Sequence, residues 1–189
     1  MQTTDARRPP NSTSVNGLPI ALFTDDFLSW PLSAPNNSAT KNGFACWCKS
    51  TLSGLQNLKV IWGAGGGASA NKLDFFLNGA GLSYLMESGG TASIASLMSA
   101  NTWHFVTVEY DGTQGSNATR CLVTVDGVIL GTTNTAVPTS QPTPSGNASI
   151  GGFAASQFLN GALGPNFFEL NRQLTTTERN NLMNFEVPT

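Results

Sequence analysis

The sequence predicts an all-β chain, a two-sheet antiparallel sandwich with a short C-terminal helix, and three observations carry that reading. Val106, Val108 and Tyr110 alternate with Phe105, Thr107 and Glu109, so a strand there buries one row before Asp111-Gly112 turns the chain. Cys121, Val123 and Val125 form a second inward row that runs into Asp126-Gly127, a dipeptide suited to the two positive-φ positions of a type I′ hairpin. Apolar residues make up 40% of the 189-residue chain, enough to fill the core of one sandwich domain.

From the N-terminus, residues 1–17 read as an extended arm, because Arg7-Arg8-Pro9-Pro10 and an Asn-Ser-Thr run show neither a helical nor a strand period. The prolines hold it extended and the arginines suit acidic groups on a neighbouring subunit, so Arg7, Arg8, Pro9 and Pro10 are the candidate assembly contact. Residues 18–189 form the single sandwich domain. Leu18 to Leu32 leads into its first strand, and Ser33 to Asn42 is a loop. Further on, Phe44, Cys46 and Cys48 share the core face of one strand, which turns Trp47 outward. Phe76 and Phe105 fall on outward rows by the same parity, so Trp47, Phe76 and Phe105 are the candidate carbohydrate or partner face. Gly63-Ala64-Gly65-Gly66-Gly67-Ala68 lacks the Gly-Lys-Ser/Thr closure of a phosphate loop and precedes strand-like Leu73 to Leu77, so it is an inter-strand loop. At the end of the chain Thr175 and Glu178 fit a capping box. Leu174, Leu182 and Met183 give that helix one apolar side, enough to dock on the sandwich edge.

Three cysteines follow from the same parity. Cys46 and Cys48 sit two apart on one strand face, which disfavours a mutual disulfide. A bridge from either to Cys121 stays geometrically open, and three buried free thiols are the favoured reading.

The order of these segments resembles the laminin-G-like, concanavalin A-like jelly-roll family of lectins and glucanases. The residues that carry the likeness are Trp103-His104, Tyr110-Asp111-Gly112, Asp126-Gly127, Ile150-Gly151-Gly152, Asn160-Gly161-Ala162-Leu163 and the short helix after Leu174-Thr175. Phe44 to Lys49, Val60 to Gly63 and Leu73 to Leu77 look like its earlier strands, so the resemblance covers residues 20 to 187 and implies a concanavalin A-like jelly roll. It also implies that the C-terminal helix is the closing element.

The function classes narrow by exclusion. A net charge of −2, with nine Lys and Arg scattered along the chain, leaves no basic stripe for nucleic acid. No apolar run approaches the roughly 20 residues that span a bilayer, and the first 17 residues are polar rather than signal-like. Glucanases of the resembled family carry Glu-x-Asp-x-x-Glu on one strand. Here the nearest segment is Glu109-Tyr110-Asp111-Gly112, whose Asp111 reads as a turn former, so no catalytic pair is expected. His104, the only histidine, has no acid at a suggestive spacing and reads as a structural residue. The family commonly places acidic residues after the segment matching Gly161-Ala162-Leu163. This chain continues Gly164-Pro165-Asn166-Phe167-Phe168-Glu169 with one extra residue, and Asp25-Asp26 reads as a turn, so neither calcium nor any other cofactor is expected.

Two non-enzymatic classes remain. Charged residues are 11% of the chain, against roughly a quarter in an average soluble protein, so the surface is largely Ser, Thr, Asn and Gly. With the arm, that surface resembles structural and decoration proteins of bacteriophage virions. The main expectation is therefore a virion component, made in the host cytoplasm, that joins a homo-oligomer or a capsid or tail protein. The alternative is a lectin-like carbohydrate-binding or adhesion module with glycans as partners. Asn-x-Ser/Thr triplets at Asn11, Asn36, Asn117 and Asn147 are chance in so Asn-rich a chain.

Overall fold

A computed structural model of the chain describes residues 12–15, 18–23, 28–31, 40–50, 59–64, 73–78, 81–86, 90–94, 99–130, 137–140, 147–151 and 159–184. In chain order the strands are β1 (Ser12–Val15), β2 (Leu18–Phe23), β3 (Leu28–Pro31), β4 (Lys41–Ser50), β5 (Lys59–Ala64), β6 (Leu73–Asn78), β7 (Gly81–Met86), β8 (Gly90–Ile94) and β9 (His104–Asp111). Helix α1 (Asn117–Arg120) separates β9 from β10 (Cys121–Val125). After it come β11 (Val128–Leu130), β12 (Asn147–Ile150), β13 (Gly161–Leu170) and helix α2 (Thr176–Asn184).

These strands pair antiparallel into a seven-stranded sheet, ordered β1-β2-β13-β4-β9-β10-β11, and a six-stranded sheet, ordered β3-β12-β5-β6-β7-β8. The expected sandwich of mostly antiparallel strands with a short C-terminal helix is what the chain forms. In the seven-stranded sheet the inner rows meet in register, with Phe44 opposite Val108, Cys46 opposite Val106 and Val108 opposite Val123. All of these side chains are buried, and Phe44 stacks on Phe167 with ring centroids 5.5 Å apart. In the six-stranded sheet the register aligns Leu28, Ile150, Trp62, Phe75, Tyr84 and Ala92 across the strands, and Ile150 is buried. Phe76 is in register with Val60 and Ser83, and Ser83 with Ser93.

The turn chemistry follows the sequence closely. Val125 pairs with Val128 across a two-residue hairpin whose Asp126 and Gly127 have φ of 51° and 78°. Asp111 ends β9 by accepting bonds from the Thr113 amide at 3.0 Å and the Thr113 hydroxyl at 2.6 Å. Burial alone would raise the Asp111 carboxyl, but the bonds from Thr113, Gln114 and Lys41 outweigh it and lower the pKa to about 2.

Three local features differ from expectation. The β9–β10 connection holds a turn of helix, capped by Ser116 and Thr119, whose Arg120 donates to the carbonyls of Gln114 and Val137. Ser116 and Thr119 were its only sequence signal, a weak one in so Ser/Thr-rich a chain. Where one extra residue was expected after Leu163, the register holds two: Leu163 faces Cys48 while Phe167 faces Cys46, so β13 bulges between them, in a stretch that contains Pro165, which has no N–H to give the ladder. Within the arm expected over residues 1–17, Ser12–Val15 is an edge strand that pairs with β2, so the sheet begins earlier than the sequence reading placed it. Arg7, Arg8, Pro9 and Pro10 lie outside the described residues, as do Asp25-Asp26 and most of the glycine-rich loop.

Candidate functional site

Strand parity turns Ala45 and Trp47 of β4, Phe105, Thr107 and Glu109 of β9, Thr124 of β10 and Phe168 and Leu170 of β13 to the outer face of the seven-stranded sheet. Trp47 stands directly opposite Phe105, with ring centroids 5.5 Å apart and tilted by 59°. The reading of these two rings as an open sugar-stacking face is corrected by α2. That helix lies over the face rather than on the sandwich edge, and Leu174, Leu182 and Met183 pack with Trp47 and Phe168 around Ala45, Phe105 and Leu170. Phe105 is left 1% exposed, and the buried Trp47 Nε1 has no hydrogen-bond partner. Phe76 belongs to the other sheet, so the structure does not bring the three candidate aromatics together.

The helix starts as its sequence dictates. Thr175 N–H donates to Glu178 Oε2 at 2.8 Å, and Glu178 N–H donates to Thr175 Oγ1 at 3.2 Å. The Arg172 guanidinium bonds the same carboxylate and, with Thr175, lowers the Glu178 pKa to about 2. What fastens the helix to the sheet is Arg179, which donates from Nε and Nη2 to the two oxygens of Glu109 at 2.7 and 2.8 Å. The Thr107 hydroxyl and the Leu174 amide complete the shell of that carboxylate, at 2.8 and 2.7 Å. Both partners are buried, so this is an ion pair beneath the helix rather than a surface contact. Sequence reading missed it because 70 residues separate Glu109 from Arg179. Leu182→Asp puts a charge against this face and is expected to cost about 2 kcal/mol, seen as a lower thermal midpoint. An unchanged midpoint would show that the helix does not depend on its apolar contacts.

Beyond the reach of α2, the same face ends in a different arrangement. Residues 99–103 lead into β9, with Ser99, Asn101 and Thr102 exposed and Trp103 half-buried. Hydrogen bonds within the segment and to its neighbours order it. The Asn101 amide donates to Ser50 O at 2.7 Å, and its φ of 59° is one that asparagine tolerates. The Thr102 hydroxyl donates to Ala100 O at 3.3 Å. The Ser99 amide donates to His104 Nε2 at 3.1 Å. A backbone amide only donates, so Nε2 is an acceptor and Nδ1 carries the proton given to Asp126 Oδ2 at 2.7 Å. Asp126 Oδ1 in turn accepts the Phe105 amide at 2.9 Å. The expectation that His104 lacks an acidic partner is thus corrected. Asp126 lies 22 residues away and is brought in by the β10–β11 hairpin.

Ser99 Oγ also lies 3.2 Å from His104 Nε2, so a serine, a histidine and an aspartate stand in line. The lone pair that a general base would use already accepts the Ser99 amide, which makes His104 a clasp between the loop and the hairpin. That clasp fixes the neighbouring Trp103. The Lys49 ammonium sits 5.1 Å from the centroid of its ring, the next outward position of β4 after Trp47. The result is a preformed loop of exposed hydroxyl and amide groups with one aromatic ring and one cation.

Other reactive groups are closed off. Cys46, Cys48 and Cys121 are buried free thiols, as favoured from the sequence. The thiol of Cys48 beside it, and burial, push Cys46 well up, and burial with nearby Glu109 pushes Cys121 to about 12. Among the described residues no group of three or more His, Cys, Asp or Glu is placed to hold a metal ion, and no described helix is long and apolar enough to cross a membrane.

Sequence comparison finds no matching protein-family model and no matching curated relative. Solved structures do match. The CBM40 of the Ruminococcus gnavus IT-sialidase, bound to α2,3-sialyllactose, is 11% identical, with a TM-score of 0.62 over 86% of this chain and 97% of that one. Mouse laminin α1 chain domains LG4-5 are 14% identical at a TM-score of 0.60, over 94% of this chain and 48% of theirs. The chain has a concanavalin A-like jelly-roll fold. A botulinum neurotoxin type C structure, whose cell entry depends on interaction with two ganglioside molecules, shares it at 13% identity and a TM-score of 0.62, over 86% of this chain and 40% of that one. Within this jelly roll, the 99–103 loop brings the half-buried ring of Trp103 together with exposed Ser99, Asn101 and Thr102 and with Lys49.

Proposed function

We propose that this jelly roll is a non-enzymatic, lectin-like carbohydrate-binding module whose sugar site is the 99–103 loop with Trp103 and Lys49. The observation that carries the reading is Trp103, half-buried at the mouth of β9 and fixed by the His104 clasp, with exposed Ser99, Asn101 and Thr102 beside it. Sugars offer an apolar ring face and a rim of hydroxyls, and an aromatic platform edged by hydroxyl and amide groups answers both. The clasp holds the loop before any ligand arrives, so little ordering cost falls on binding. Two of the structural neighbours, the CBM40 with its sialyllactose and the neurotoxin with its gangliosides, bind glycans or glycolipids, which supports the same class for this chain.

The non-enzymatic part rests on the described acids. Glu109 is closed off under α2, Asp111 is committed to its turn, Asp126 to His104 and Glu178 to Arg172, so these four form no pair across a cleft as glycoside hydrolysis requires. The virion-assembly reading draws no support from the described residues, where Ser12–Val15 of the arm pairs within its own sheet. A glycan array with the full chain tests the proposal. Wild-type protein is expected to bind a defined glycan class, and Trp103→Ala to lose about ten-fold or more in affinity while keeping its β-sheet circular dichroism. Equal binding by the variant, or no binding across the array, would overturn it.

A further inference from the structure

We infer that the sugar taken by this site carries a carboxylate, held by Lys49 while Trp103 receives the ring; the inference rests on the carbohydrate-binding reading above. The argument comes from the distribution of charge. Four other cations whose side chains are described are matched to oxygen: Lys41 to Asp111 at 3.3 Å, Arg172 to Glu178, Arg179 to Glu109, and Arg120 to the carbonyls of Gln114 and Val137 and to Asn117 Oδ1. Lys49 alone among them meets a ring and no oxygen.

Among the described residues beside it, no carboxylate pairs with it. On the β13 side its register partner is Ala162, and on the β9 side the next position beyond the Cys48–His104 pair is Trp103. The carboxylate nearest in the network, Asp126, is turned to His104 and the Phe105 amide. An ammonium has three donors, and contact with a ring face uses none of them, so they stay open to an acceptor on a ligand. A half-buried lysine stem aims that cation at the same ring a sugar would stack on. A neutral glycan would leave the charge unanswered. A sugar acid pairs with the ammonium and lays its ring carbons on the indole, so charge and apolar contact act on one residue of the glycan.

Isothermal titration of the full-length protein with 3′-sialyllactose and with lactose, beside an array of sialosides, uronate oligosaccharides and neutral glycans, tests this. Carboxylated glycans are expected to bind at least ten-fold tighter than their neutral counterparts, with affinity falling as salt rises. Lys49→Met, which keeps the stem length, should erase that preference and spare residual neutral binding, whereas Trp103→Ala should weaken both. Neutral glycans binding as tightly as carboxylated ones would overturn the inference and leave the carbohydrate reading standing. So would a Lys49→Met protein that keeps the preference. Failure of every glycan to bind would overturn both.

Discussion

Replacing Arg179 with alanine is expected to lower the unfolding free energy by about 3–5 kcal/mol, the range for breaking a buried ion pair from one side. The reason is the state in which Glu109 is left. Its carboxylate is fully buried on the sheet face, and two of its four hydrogen bonds come from the guanidinium, at 2.7 and 2.8 Å. Alanine removes those donors and opens no route for water other than lifting α2, which would uncover Phe105, Leu170 and Trp47 as well. The helix contributes little else, since Arg179 is its one buried residue and its apolar contacts are partial. The paired change Glu109→Gln with Arg179→Met removes both charges. It keeps an acceptor for the Leu174 amide and is expected to regain most of the loss. Urea denaturation of the two single variants and the double variant measures the coupling. Additive losses with no recovery would show that the two side chains act independently.

Phe44→Ala is expected to cost a similar amount, about 3–5 kcal/mol, by a different mechanism. Phe44 is fully buried at the centre of β4, facing Val108 on one side and Glu169 on the other, and its ring stacks on Phe167 at 5.5 Å with planes 12° apart. Truncation leaves a cavity that the surrounding ladder cannot close, because β4 is held on both edges by β9 and β13. Phe44→Leu keeps most of the volume and should lose less. A calorimetric midpoint for Phe44→Ala close to that of the wild type would mean that the inner row of β4 is not part of the core.

How far the sequence could be read depended on the distance over which each signal acts. The β9 strand with its Val106, Val108 and Tyr110 row buried, the positive-φ pair Asp126-Gly127 and the capping box of Thr175 and Glu178 are set by neighbours a few residues apart and appear as read, but the alternate row of Phe105, Thr107 and Glu109 is buried as well, where the sequence reading buried only one row. The outward parity of Trp47 and Phe105 was also legible. Their accessibility was not, because parity fixes which face a side chain takes and says nothing about what covers that face. His104 looked solitary for the same reason: its partner Asp126 arrives only when the hairpin folds back. Trp103 carried part of the family resemblance and Lys49 closed a strand-like segment, but neither read as a site residue, since nothing in the sequence shows that β4 and β9 align them.

The sequence by itself determined the fold class, the order of the strands from β9 to β11, the Asp111 turn and the Asp126-Gly127 hairpin, the start of α2 and the buried state of the three thiols. Each of these follows from short-range backbone preference and from the two-residue period of a strand. Only the tertiary structure decided that α2 closes the Trp47–Phe105 face through Glu109 and Arg179, and that the 99–103 loop is clasped by His104 and Asp126 with Lys49 over Trp103. Those arrangements join residues from 5 to 70 positions apart and from different strands. A salt bridge or a ring contact of that kind leaves no periodic trace in the sequence.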